Sequence, residues 1–241
     1  MAKALRFYIL TFLFSLGTLC CGQVYAGAAE IIQSDICIYG GTVAGVAAAV
    51  QASRMGKPAV IAESGDHLGG MSSGGLGATD IGNKAAIGGI AREFYHKVAQ
   101  HYATDAAWRF ESREDYFKHR ASRSSLAELS LPDATMWTFE PHVAEDIFFQ
   151  MVNEARTPVY FQQRLSGVKK DGNRITEITI ENGKVFRAKM FIDATYEGDL
   201  MAKAGVRYTV GREANSEYKE TLNGIREKTP KHQFGVPVDP Y

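Results

Sequence analysis

The spacing of apolar positions changes several times along the chain, and each change marks an element. Asp35–Tyr39, DICIY, alternates and runs into glycines, whereas Val43–Arg54, VAGVAAAVQASR, is alanine-rich with apolar residues at helical spacing. The order is strand, turn, helix. Gly56 and Pro58 stop that helix, and Pro58–Ala62, PAVIA, has the length and continuity of a buried parallel strand closed by Glu63. Between Gly88 and Tyr102 the residues Ile90, Phe94, Val98 and Tyr102 recur at helical spacing, which predicts a helix facing the core. Asp105–Arg123 is charged and aromatic without a clean period and reads as a helix-loop insertion. Pro141 suits the first position of another helix, running to Glu154 through Val143, Ile147, Phe148 and Met151. Pro158–Phe161, PVYF, then reads as a strand. LSGVKK, RITEITI and KVFRAK follow as three short alternating strands, joined by Asp171-Gly172-Asn173 and Asn182-Gly183, which are hairpin signals.

The first strand-helix junction carries candidate chemistry. In Ile38–Gly45, IYGGTVAG, a threonine takes the second glycine place of the pattern G-x-G-x-x-G. Such a turn lets backbone N–H groups at a helix N-terminus face a pyrophosphate, while an acid closing the next strand accepts hydrogen bonds from a ribose diol. Gly40, Gly45 and Glu63, which lies 23 positions after Gly40, fit those three places. The bland alternative is a structural bend with Glu63 as a surface carboxylate. Thr42 itself has two readings. Its branched side chain narrows the approach of a pyrophosphate, or its hydroxyl donates directly to a phosphate oxygen.

Ser64–Asp80, SGDHLGGMSSGGLGATD, follows with glycines at 65, 69, 70, 74, 75 and 77. That density predicts backbone passing close to a ligand or repeatedly taking positive φ. In a plain nicotinamide dehydrogenase the second strand leads into another helix, so this loop argues for a different cofactor. Together IYGGTVAG, ES with GDHLGGM, SGGLGATD and, far downstream, Phe191–Val206, FIDATYEGDLMAKAGV, resemble the secreted or periplasmic FAD-dependent oxidoreductases of the glutathione-reductase-like flavoprotein superfamily. Gly69-Gly70 resembles that superfamily's second phosphate and flavin segment. Asp193-Ala194-Thr195 resembles its Ala-Thr-Gly signature, with Tyr196 replacing the glycine and Gly198 following.

The resemblance implies FAD as cofactor and a β-meander before a last parallel strand, Met190–Asp193. It implies cofactor contacts from the turn Gly40, Gly41, Thr42, Val43, Ala44 and Gly45, from Glu63 and Ser64, and from the loop residues Gly69, Gly70, Met71 and Ser72. Further contacts are implied from the backbone at Leu165, beside the adenine, and from Ala194, Thr195 and Gly198. The reactive face of the flavin would lie against Met71–Ser73 and Gly74–Asp80. Asp80, which follows the glycine loop, is a candidate base and equally a candidate helix N-cap. His67 is either near the flavin or an exposed loop histidine, with the latter preferred.

Composition narrows the partners. The 241 residues are 45% hydrophobic and 22% charged, as in a globular protein able to bury a core, and Lys+Arg and Asp+Glu both number 27. No basic field is available for nucleic acid, so a small-molecule partner is expected. None of the six histidines falls in a metal-binding pattern, so no metal is expected.

Lys3 and Arg6 precede the apolar run Phe7–Leu19 and the small-residue site Val24-Tyr25-Ala26, the layout of a secretory signal peptide. Cleavage is expected after Ala26, with Ala28 as the second option. The run is too short for a comfortable membrane span of roughly 20 residues. Leu19 before Cys20 fits poorly with a lipoprotein cleavage site. With Cys20 and Cys21 removed, Cys37 is the only cysteine left, and its apolar strand context predicts a buried structural thiol.

The expected fold is α/β: a Rossmann-like FAD-binding domain over 32–206, with a parallel sheet, a three-stranded β-meander and a partial, mostly helical substrate-domain insertion at about 88–150. Residues 207–241 are expected to start a truncated substrate domain, because the superfamily's late Gly-Asp return segment is not found before Tyr241. The expected activity is transfer of hydride or electrons from an unidentified small molecule to flavin, by an exported protein. A noncatalytic nucleotide- or partner-binding protein of the same fold is the alternative, and an NAD-dependent dehydrogenase is less favoured.

Overall fold

The computed structural model describes residues 29–120 and 124–224. The signal-peptide reading, Cys20, Cys21 and the chain after 224 lie outside the described residues. Strand β1 (Ile31–Tyr39) leads through the glycine turn into α1 (Val43–Arg54), and β2 (Ala59–Ala62) returns parallel to β1. A long helical crossover follows, with α2 (Gly89–Tyr102), α3 (Arg113–Arg120), α4 (Leu126–Leu129) and α5 (Pro141–Glu154). Strand β3 (Val159–Tyr160) then pairs parallel with β2. The meander β4 (Leu165–Asp171), β5 (Arg174–Ile180) and β6 (Val185–Asp193) brings the chain back beside β1, before the short helices α6 (Asp199–Lys203) and α7 (Asn215–Tyr218). The six strands form one sheet in the order β3-β2-β1-β6-β5-β4. This is the α/β, largely parallel arrangement expected of a Rossmann-like domain.

Two strands came out longer than the pattern predicted, for one reason. β1 begins at Ile31 and pairs in parallel with β6 from Ile31↔Val185 to Tyr39↔Asp193. The third meander strand and the last parallel strand are therefore one continuous strand, where two were expected. Its first residues also pair antiparallel with β5, at Glu177↔Arg187 and Thr179↔Val185. β1 stays beside β6 along its whole length while β5 joins only the first residues of β6, so one strand serves both the meander and the parallel sheet.

Successive side chains of a strand point to opposite faces, and here both faces are apolar. Ile38 and Ile61 face a core formed with α1, α2 and α5, while Cys37, Tyr39, Val60 and Ala62 face a second core with Ile178, Ile180, Phe186 and Leu200. Phe186 and Tyr160 meet edge-to-face at 5.4 Å, although β1 and β2 separate their strands in the sheet. The meander thus folds over the face opposite the helices. Cys37 is fully buried, and loss of hydration pushes its thiol up to about 12, so it is an inert core group, as its sequence context predicts.

The helix boundaries follow local chemistry. Thr42 caps α1, Pro141 sits in the first turn of α5, and α4 opens on a reciprocal capping box between Ser125 and Glu128. Phe148 of α5 is buried and stacks on Phe94 of α2 at 4.5 Å, with its ring also against Gly69. It ties the helical layer to the glycine loop. Phe148→Ala is expected to cost about 3–5 kcal/mol by leaving a cavity there, measured as a lowered midpoint in urea unfolding followed by circular dichroism.

Candidate functional site

The glycine turn is shaped by what side chains would strike. Gly40 has φ +108°, and a Cβ there would lie 2.8 Å from the carbonyl carbon of Ala194. A Cβ on Gly45 would lie 2.1 Å from the Gly40 carbonyl oxygen, so glycine is what lets α1 start directly against the turn. Thr42 is buried at the N-cap with an extended backbone, and its hydroxyl donates to the Ala194 carbonyl at 2.7 Å. The same oxygen accepts weakly from the Gly45 N–H at 3.4 Å. The hydroxyl therefore joins α1 to the end of β6 and does not reach outward to a phosphate. Its N-cap geometry turns the side chain back toward the sheet.

What faces outward is backbone. Val43 and Ala44 are exposed in the first turn of α1, and their N–H groups have no acceptor among the described residues. The first N–H groups of a helix lack intrahelical partners and carry the positive end of its dipole, so this turn favours an anion. Glu63, at the end of β2, lies beside it. One carboxylate oxygen accepts from the Gly41 N–H, and the other accepts from the Gly65 N–H at 2.6 Å and the Ser64 hydroxyl at 3.3 Å. A carboxylate has lone-pair directions to spare for hydroxyl donors. Ser64 is exposed at the same edge.

The second glycine segment docks onto the first. The Gly69 N–H donates to the Gly41 carbonyl at 2.7 Å, and a Cβ on Gly69 would lie 2.3 Å from the Phe148 ring. Gly70, at φ +55°, would bring a Cβ to 2.1 Å from the Tyr196 hydroxyl. That hydroxyl accepts from the Met71 N–H at 2.8 Å. Met71 is exposed beside it, and the Ser72 N–H closes a turn onto Gly69 at 3.3 Å. Glu145 of α5 anchors the loop from outside, receiving the Leu68 N–H at 3.1 Å and the exposed His67 ring at 3.0 Å. Tyr196 and Glu145 were not singled out as loop anchors by the sequence. The only signal was Tyr196 standing where a glycine was expected.

Ala194, Thr195 and Gly198 have mainly intramolecular partners. Ala194 is buried at the end of β6, and its N–H donates to the Tyr39 carbonyl at 2.8 Å. The Thr195 hydroxyl donates to Asp193 at 2.7 Å and accepts from the N–H groups of Gly198 and Asp199 at 2.9 and 3.0 Å. Asp193 also accepts from the Met201 N–H at 2.8 Å, so this segment is the cap of α6. The Leu165 N–H donates to the Tyr39 hydroxyl at 2.9 Å. Tyr39 and Leu165 share a cavity of about 460 Å³ with Ser64, Arg164 and Asp199.

Asp80 is exposed in the loop after the glycines, and it is not a helix cap. The helical turn nearby begins at Lys84 and is capped by Asn83, whose side chain accepts from the Ala85 N–H at 3.0 Å. Among the described residues no group of three or more His, Cys, Asp or Glu is placed to hold a metal ion. None of the described helices is long and apolar enough to cross a membrane. A larger cavity, of about 580 Å³, opens beside Gly75–Ala78, where that segment pairs with Trp137–Phe139 through an isolated antiparallel bridge.

Comparison with known proteins fits this geometry. The profile of the family described as FAD dependent oxidoreductase matches residues 35–238. No curated protein matches significantly. Among solved structures, the L-amino acid deaminase from Proteus vulgaris is similar with a TM-score of 0.50 and 16% identity over 77% of this chain and 52% of that one. The L-proline dehydrogenase from P. horikoshii gives 0.44 and 14%, over 77% of this chain and 59% of that one. The likeness to the deaminase speaks to the fold alone. This chain spans about half to three fifths of the length of these two proteins.

The Thr42 hydroxyl is separable from its shape. Thr42→Val leaves the buried Ala194 carbonyl without its donor and is expected to cost about 1–3 kcal/mol, whereas Thr42→Ser retains the bond. Paired denaturant titrations of the two variants check this.

Proposed function

Because the chain belongs to the FAD dependent oxidoreductase family, we propose that it supplies the dinucleotide-binding part of an exported enzyme that oxidises a small organic molecule. The observation that carries the reading is the pair of unpartnered amides at Val43 and Ala44, set beside the Glu63 carboxylate. That pairing suits one ligand with a pyrophosphate and a ribose diol.

FAD fits the residues present. Gly40, Gly41 and Gly45 keep the turn free of side chains, and a Cβ on Gly41 would crowd Glu63 at 3.1 Å. In this reading the Val43 and Ala44 N–H groups hold the pyrophosphate, and Glu63 and Ser64 receive the adenosine ribose. Thr42 contributes through its backbone and by fixing the turn. Gly69, Gly70, Met71 and Ser72 line the route toward the flavin end. Tyr196 keeps the Met71 backbone in place there. Ala194, Thr195 and Gly198 act mainly by shaping the floor of the turn, and Leu165 with Tyr39 forms a wall of the neighbouring cavity. When bound, the flavin accepts a hydride or electrons from the substrate.

Export is proposed from Lys3 and Arg6 followed by the apolar run Phe7–Leu19 and Val24-Tyr25-Ala26. The destination in this reading is the periplasm or the medium. N-terminal sequencing of the secreted protein should begin at Gly27, or at Ala29 if cleavage follows Ala28; an N-terminus still at Met1 on exported protein would remove this part of the proposal.

Cofactor choice has its own test. Titration with FAD should raise the melting temperature and give a bound-flavin absorbance band, while NAD should shift neither. Glu63→Ala is expected to weaken FAD binding about tenfold or more, consistent with loss of charged hydrogen bonds. A protein stabilised by NAD and indifferent to FAD would refute the assignment.

A further inference from the structure

A cavity of about 580 Å³ lies outside the phosphate turn, and its walls are specific. Tyr102, Trp108, Tyr116 and Phe139 contribute aromatic surface, with Tyr102–Trp108 ring centroids at 5.4 Å and Trp108–Tyr116 at 5.3 Å. Their polar ends are already engaged. The Trp108 indole N–H donates to the Tyr102 carbonyl at 2.9 Å, and the Tyr116 and Thr138 hydroxyls share a hydrogen bond at 2.5 Å. Tyr102 donates from its hydroxyl to Glu140 Oε2 at 3.0 Å and accepts from the Glu140 N–H at 2.9 Å. What these rings offer a ligand is therefore their π-surface.

Glu140 supplies the charge. Its side chain is half-buried in the wall, Oε2 is held by Tyr102, and Oε1 has no hydrogen-bond partner among the described residues. No cation among the described residues pairs with this carboxylate. Arg109 and Glu111 are also on the cavity lining, both exposed. A carboxylate among aromatic rings attracts an organic cation, which gains the ion pair and the cation–π contact together. The volume of about 580 Å³ suits a molecule of metabolite or drug size.

We propose that this cavity is the substrate site and that it takes a primary amine, as its ammonium form, on an aromatic or otherwise apolar body. Calling the ligand a substrate rests on the oxidoreductase reading; the binding itself does not. Glu140 pairs with the ammonium, Tyr102 holds Glu140 in place, and Trp108 and Tyr116 cover the body. The adjoining Gly75–Ala78 segment puts the ligand next to the loop assigned to the flavin.

Calorimetric titration of the full chain at neutral pH tests this with three probes of one shape: 2-phenylethylammonium, 2-phenylethanol and 3-phenylpropionate. The ammonium should bind saturably and at least tenfold more tightly than the other two. Glu140→Gln should remove that preference while leaving the alcohol's affinity unchanged, and Trp108→Leu should weaken ammonium and alcohol alike. Melting curves establish that each variant is folded, and the wild-type preference stands as a test even if a variant is not. The proposal is overturned if no probe saturates, if the carboxylate or alcohol matches the ammonium, or if folded Glu140→Gln retains the preference. It is also overturned if loading with FAD abolishes ammonium binding, since the cavity would then hold the flavin ring. FAD uptake is read separately from absorbance. Ammonium binding without FAD uptake sinks the oxidoreductase reading alone, and FAD uptake without ammonium binding sinks this one alone.

Discussion

The contact on which the site depends is the close approach of the Gly40 turn to Ala194. Three chain segments converge there: the ends of β1 and β6 and the start of α1. With a 2.8 Å gap facing any Cβ on Gly40, only glycine leaves room for the β6 backbone. The Thr42 hydroxyl then closes the junction with its 2.7 Å bond to the Ala194 carbonyl, spanning 152 positions of sequence. A buried carbonyl at the end of a parallel strand needs a donor, and Thr42 supplies it. Threonine at the second glycine position is thus a structural solution whose side chain turns inward, which leaves the outer surface of the turn as bare backbone.

The second glycine segment extends the same principle. Four of its glycines are hemmed in by protein atoms: Gly69 by Phe148, Gly70 by Tyr196, Gly74 by the Gly70 carbonyl and Gly77 by the Phe139 carbonyl. The glycine density predicted backbone close to a ligand or repeatedly at positive φ; Gly69, Gly70 and Gly75 do take positive φ, and the close contacts record how tightly this loop packs on its own scaffold. Gly75 differs, since a Cβ there would meet open space, and its φ of +126° is what calls for glycine. A loop packed this closely is held in shape before any ligand arrives, which reduces the ordering cost of binding.

Charge is distributed in keeping with that division. The α1 N-terminus presents unpartnered N–H groups, Glu63 sits at the edge of the same turn, and the larger cavity carries the Glu140 carboxylate within an aromatic wall. The two regions are linked through the Gly69–Ala78 backbone and through α5, which carries Phe148 and Glu145 to the loop and begins next to Glu140.

The sequence by itself determined the local frame. Alternation in DICIY, helical spacing from Val43 to Arg54, the Pro141 start of α5 and the acid at 63 all rest on interactions within a few residues or on period alone, and the structure places each where its pattern put it. The buried state of Cys37 was legible for the same reason. Only the tertiary structure decided the partners. The union of KVFRAK with Met190–Asp193 depends on the β1 register, the direction of the Thr42 hydroxyl on a carbonyl far along the chain, and the place of Tyr196 on the fold of a loop 125 residues earlier. The gathering of Tyr102, Trp108, Tyr116 and Glu140 around one cavity likewise follows from helix packing. Periodicity records which face of an element is buried, whereas the atoms that meet across that face are set by how the elements dock.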